Sequence, residues 1–173
     1  MSIRPSTTVA SLLQEKRLFV RPSNFTGYET VRTIYAVPEI LAITSGPFGD
    51  TLDDERLSEF AQSLDAFSEG GRISVAQNPD QKPWDAMLAR VHPVGAEFWS
   101  IRVTAPEETP GIRAFGAFVE KDAFAVLAWH LREEMSSFDA DVVLAREVWA
   151  NLFGSPRRIG AVRLMIISPT IGR

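Results

Sequence analysis

Between residues 97 and 135, three strand-like runs (98–104, 111–119 and 124–131) follow one another through two polar turns. Connections this short can join only antiparallel neighbours, because a parallel pair needs a crossover of a dozen or more residues. The segment therefore reads as a meander. A helix-period pattern precedes it and another follows, which predicts an α+β domain whose mostly antiparallel, twisted sheet is flanked by helices. In the first run Trp99, Ile101 and Val103 alternate with Phe98, Ser100 and Arg102, giving one apolar and one mixed face. The second run sets Ile112, Ala114, Gly116 and Phe118 against Arg113, Phe115, Ala117 and Val119, and its small residues predict close approach of another element or a ligand, by preference a packed helix. The third run is apolar on both faces until His130, the pattern of a central strand covered on each side.

Around the meander the period changes. Leu57, Phe60, Ala61, Leu64 and Phe67 fall on one helical face, so a helix is predicted over 53–69, capped by Thr51 or Asp53 and stopped by Gly70 and Gly71. A last helix begins near Asp139, buries Val142, Ala145, Val148, Trp149 and Leu152, and ends at Gly154. Short strands are expected at 73–76 and 161–168, while 84–91 fits a helical turn or a strand. Residues 1–50 form an N-terminal elaboration of uncertain structure, read as a short helix and a strand followed by two extended pieces at 30–34 and 38–44; residues 51–173 form the single α+β domain.

Composition excludes whole classes of chemistry. The 173 residues contain no cysteine, which removes disulfides, thiolate catalysis and sulfur-ligated zinc, and only two histidines, His92 and His130. Nothing resembles a metalloprotease helix, a P-loop or a dinucleotide-binding glycine motif, so no cofactor and no metal is expected. No apolar run approaches the roughly 18 residues that span a bilayer. The first ten residues lack a signal-peptide core, so no membrane association and a cytoplasmic location are expected. Net charge is −4 but unevenly spread. Asp50, Asp53, Asp54, Glu55, Glu59, Asp65 and Glu69 read as a solvated acidic helix face, whereas Arg157, Arg158, Arg163 and Arg173 lie in a tail without carboxylate side chains.

The order of elements, and three short motifs within it, resemble the RelE/ParE toxin superfamily and its phage-derived relatives. The motifs are Phe98-Trp99-Ser100-Ile101-Arg102, similar to that family's W-E-L-R strand; Ile112-Arg113-Ala114-Phe115, similar to its Y-R-V-F strand; and the apolar third strand, 123–129. The resemblance covers about residues 57–153. It implies a compact sheet with basic residues on one face that, in RNA-cleaving members, bind and cut messenger RNA on the ribosome. Arg102 and Arg113 are the sheet arginines it designates. Where phage-derived members carry lysines after the third strand, this chain has Glu133 and Glu134, a pair expected to oppose phosphate.

Cleavage through a 2′-hydroxyl needs a base, a cation against the developing phosphorane charge and an acid at the leaving oxygen. The candidate catalytic residues are Arg102, Arg113 and Arg132 for the cation, and His130 or Glu133 for proton transfer. The plainer readings are a strand-end His130 bonded to backbone, and Arg102 and Arg113 paired with Glu97 or Glu120. Glu107-Glu108 is discounted as an acid/base pair, and Trp99, Trp129 and Trp149 as a stacking platform, all three belonging to predicted buried faces. Candidate partners are RNA or the ribosome, an antitoxin-type protein, and a second copy of the chain. The alternative function is a noncatalytic interaction or assembly module on a similar frame.

Overall fold

The structure is a computed structural model that describes residues 7–24, 27, 29–81, 83–104 and 110–154. The meander is its centre: β5 (Trp99–Val103), β6 (Ile112–Glu120) and β7 (Ala123–Leu131) pair antiparallel in sequence order. The sheet is wider than the meander. Strands β1 (Phe19–Val20), β2 (Thr33–Ala36), β3 (Val75–Ala76) and β4 (Leu88–Arg90) complete a seven-stranded open sheet of order β1-β2-β7-β6-β5-β4-β3. It is mixed, with β2 parallel to β7 and β3 parallel to β4 while the other four neighbouring pairs are antiparallel.

Both faces are covered, making three layers. Helices α2 (Pro38–Thr44) and α3 (Leu52–Ser68) close over one face, where Phe60, Leu64 and Phe67 pack on Trp99, Ile101, Phe118 and Phe124. On the other, α1 (Val9–Gln14) and α4 (Phe138–Phe153) pack Leu12, Val142, Ala145 and Trp149 on Phe98, Phe115 and Ala125. β7 lies between β2 and β6 and is buried along both faces, as its unbroken apolar run requires. A bulge keeps its pattern in step. Phe115 opposes Ala128 but Gly116 opposes Val126, so Leu127 is the extra residue, and it joins Ala128 on the α4 side.

Gly116 sits at this bulge. A Cβ there would lie 2.0 Å from the Ala125 carbonyl oxygen, so the small residue serves backbone approach between β6 and β7 rather than the helix packing expected from sequence. Gly116→Ala is expected to destabilise the fold by about 1–3 kcal/mol, as overpacking does elsewhere, read as a lower denaturant midpoint at constant m.

Local signals account for the long helices. Thr51 and Asp54 form a reciprocal capping box at the start of α3, and Gly70 follows its end at φ 80°. Ser137 caps α4 by accepting from the Ala140 N–H, and Gly154 ends it in the left-handed region at φ 71°. Residues 38–44, expected to be extended, are instead α2. Pro38 occupies the first turn, where a missing N–H costs nothing, and Ile40 and Thr44, four apart, are both buried against the sheet. The strand expected at 161–168, the arginines of the tail and Glu107-Glu108 lie outside the described residues.

The acidic face of α3 is not wholly solvated. Asp65 is buried and meets Arg21 at 2.6 Å, both side chains only 1% exposed. Arg56, also on α3, is buried and binds Asp53 and Glu133. No helix of the described residues is long and apolar enough to cross a membrane.

Candidate functional site: an arginine cleft at the end of the meander

Strand register decides which polar residues meet. Arg102 of β5 is paired directly with Arg113 of β6, and Arg113 in turn with His130 of β7. Directly opposed residues on antiparallel strands project to one face with Cβ atoms about 5 Å apart, so these three side chains form one row across the sheet. They share the α4 face with Phe98, Phe115 and Ala128 but lie toward the end where α4 begins. There all three side chains remain partly exposed.

Ser100, Arg102, Arg113, Arg132 and Phe138 line an open cleft of about 290 Å³. Arg132 reaches it from a short 3-10 turn (Arg132–Glu134) that is tied to the start of β6 by a 2.8 Å bond from its own N–H to the Gly111 carbonyl. Arg102 is half-buried and donates to the Pro83 carbonyl at 2.9 Å. Among the described residues none of the three arginines makes an ion pair. The expected carboxylate partners are elsewhere: Glu97 binds Arg90, and Glu120 lies seven residues along β6 from Arg113, roughly 23 Å at strand rise. Burial, with the charges of Arg102 and Arg132, pulls the Arg113 guanidinium down to about 10, so it remains a cation at neutral pH but a destabilised one.

Glu133 does not oppose the cleft. Its carboxylate accepts from the buried Arg56 at 2.5 Å, and hydrogen bonds to the backbone and to Arg56 hold it below the usual glutamate range. A glutamate held ionised by an arginine is a poor proton donor, which leaves His130 as the candidate for proton transfer. By holding Glu133 on the α3 side, the Arg56 pair also anchors the turn that carries Arg132.

His130 has a side-chain partner, not the backbone partner expected. Its Nδ1 lies 3.0 Å from Asp141 Oδ1 in the first turn of α4, a close contact without hydrogen-bond alignment. The Asp141 side chain is only 8% exposed, and its Oδ2 has no hydrogen-bond partner among the described residues. Sequence reasoning missed Asp141, since an acidic residue at a helix start is fully explained by the helix dipole. It also passed over Trp84. Trp99 and Trp149 are buried and Trp129 donates to Glu39, whereas Trp84, next to the Pro83 that binds Arg102, is 85% exposed.

What the arrangement can do follows from its parts. Three cations on a partly desolvated surface, with no internal counterion among the described residues, can hold an anion with more than one oxygen. Arginine favours phosphate through its planar fork of donors. No protein-family model, curated protein or solved structure matches this chain, so it is this geometry that bears on function.

Proposed function

We propose that the protein is a RelE/ParE-type RNA-binding protein whose arginine cleft grips the phosphate backbone, with His130 and Asp141 placed for proton transfer in cleavage through the 2′-hydroxyl. The observation that carries the reading is the row Arg102–Arg113–His130, joined by Arg132, in a chain of net charge −4. An acidic protein that keeps three arginines together without a counterion among the described residues has lowered the pKa of one of them. An anion bound in the cleft offsets the repulsion among these arginines. Asp141 beside Nδ1 favours a proton on that nitrogen and leaves Nε2 as the base, while the arginines face the charge that develops on phosphorus. An antitoxin-type partner fits the same chemistry as a protein that lays its own carboxylates across the cleft.

The test is mobility shift and integrity of a structured RNA with purified protein at low and moderate salt. Binding is expected to weaken as salt rises. Arg102→Ala/Arg113→Ala is expected to reduce the log–log salt slope by roughly 1–2, since each phosphate contact on single-stranded nucleic acid contributes about 0.7. His130→Gln is expected to keep binding and lose cleavage. Wild-type protein that leaves RNA unshifted at low salt would refute the reading and favour the noncatalytic interaction module.

A further inference from the structure

We infer that Trp84 is a base-stacking platform that makes the arginine cleft a site for single-stranded rather than duplex RNA; this rests on the phosphate-binding reading of the cleft. Pro83, Trp84, Asp85 and Ala86 form a tight turn closed by a 3.1 Å bond from the Ala86 N–H to the Pro83 carbonyl. That carbonyl also accepts from the Arg102 guanidinium at 2.9 Å, so one oxygen joins the turn that displays Trp84 to an arginine of the cleft. The turn is fixed from behind as well. Ala86 is buried, and the Arg102 N–H donates to the Met87 carbonyl at 2.7 Å, which seats the following residues on β5.

The indole on this hydrogen-bonded turn is 85% exposed, far more than Val20, Val31, Leu52, Val143 or Leu144, the other large apolar side chains exposed among the described residues. A tryptophan contributes most when its large apolar surface is covered, and here nothing among the described residues covers it. Neighbouring Asp85 is also exposed, and its carboxylate disfavours a phosphate at the turn. The Pro83 carbonyl thus joins a cation of the cleft to the turn whose next residue carries the exposed aromatic face. A nucleotide divides its chemistry in the same way, charge in the backbone and a flat π surface in the base. Only an unpaired base can leave its neighbours to stack on a side chain, which selects single strands.

The experiment measures affinity of the full chain for a fluorescein-labelled 12-nucleotide single-stranded RNA and for the same sequence as a blunt duplex, with Trp84→Ala, Trp84→Phe and Arg113→Met variants. Trp84→Ala is expected to weaken single-strand binding roughly 5- to 100-fold, the range of one base–aromatic stack, with little change for duplex and an unchanged salt slope. Trp84→Phe is expected to keep most of the affinity. An exposed side chain can be removed without unfolding the chain, and the melting temperature of Trp84→Ala verifies this. Binding that needs Arg113 but is indifferent to Trp84→Ala overturns the stacking role alone. Equal losses on single strand and duplex also overturn it. Absence of RNA binding by the wild type overturns the phosphate reading and this inference together, as does an oligomer without RNA affinity that dissociates in Trp84→Ala, which would make the turn a protein contact.

Discussion

Arg113→Met is expected to raise the melting temperature by about 2–4 °C while it removes phosphate binding. The guanidinium is disfavoured in the folded protein by burial and by Arg102 and Arg132, which lower its pKa to about 10. A depressed base binds fewer protons when folded than when unfolded. Stability therefore rises with pH from about 10 up to the ordinary arginine range, and at every lower pH the folded state carries the full penalty. Unscreened, a lowering of that size is about 3 kcal/mol; solvent reaches this half-buried side chain and reduces the effect to on the order of 1 kcal/mol. For a domain of this size that is a shift of about 2–4 °C. Methionine keeps the aliphatic stem and discards the charge. Thermal unfolding with and without inorganic phosphate is the measurement: phosphate is expected to stabilise the wild type by linkage and to leave the variant unmoved. A variant less stable than the wild type, or equally responsive to phosphate, would show that Arg113 is an ordinary strand residue.

The largest loss of stability is expected from Asp65→Ala, about 3–5 kcal/mol, a large part of the roughly 5–15 kcal/mol that holds a domain folded. Arg21 leaves β1 and runs inward, where its guanidinium donates to Asp65 at 2.6 Å, to the Thr44 hydroxyl at 3.0 Å, and to the carbonyls of Thr44 and Ala61 at 3.2 Å each. One side chain thus ties the edge of the sheet to the end of α2 and the middle of α3. Removing the carboxylate leaves a cation sealed from water with only neutral acceptors. The double variant Arg21→Met/Asp65→Leu, which removes both charges together, is expected to recover most of the loss, because replacing a buried pair by apolar residues is often neutral. Urea unfolding of the two proteins separates the cases. A loss under about 1 kcal/mol for Asp65→Ala, or no recovery in the double variant, would place the energy of this corner in packing rather than in the ion pair.

Much of the frame was legible in the residues because it rests on local periodicity. Alternation over 98–104 and 111–119, and the apolar run at 124–131, located β5, β6 and β7 to within about two residues, and the 3.6-residue period with its caps located α3 and α4. The cleft was legible in part. Short motifs point to Arg102 and Arg113 and the needs of RNA cleavage to Arg132 and His130, and the register sets the two strand arginines and the histidine in one row while the turn after β7 brings Arg132 to the same cleft. Illegible were contacts between residues far apart in the chain. Glu133 reads as a threat to phosphate until Arg56, 77 residues earlier, takes its carboxylate. Asp141 reads as a helix-start acid until α4 folds back beside His130. Proline and β-branched residues at 38–44 argued for extended chain, and burial of Ile40 and Thr44 under the sheet outweighed that propensity.

The sequence by itself determined the meander, its two long helices and the residues able to carry positive charge, since each follows from side-chain spacing within a few turns of one element. Tertiary structure alone decided that β2 lies parallel to β7, that Asp65 is buried, which carboxylates the arginines meet and which tryptophan stays outside. Those outcomes depend on which surfaces lose water together. Burial couples residues by position in space, and pattern within a segment carries no record of what will pack against it.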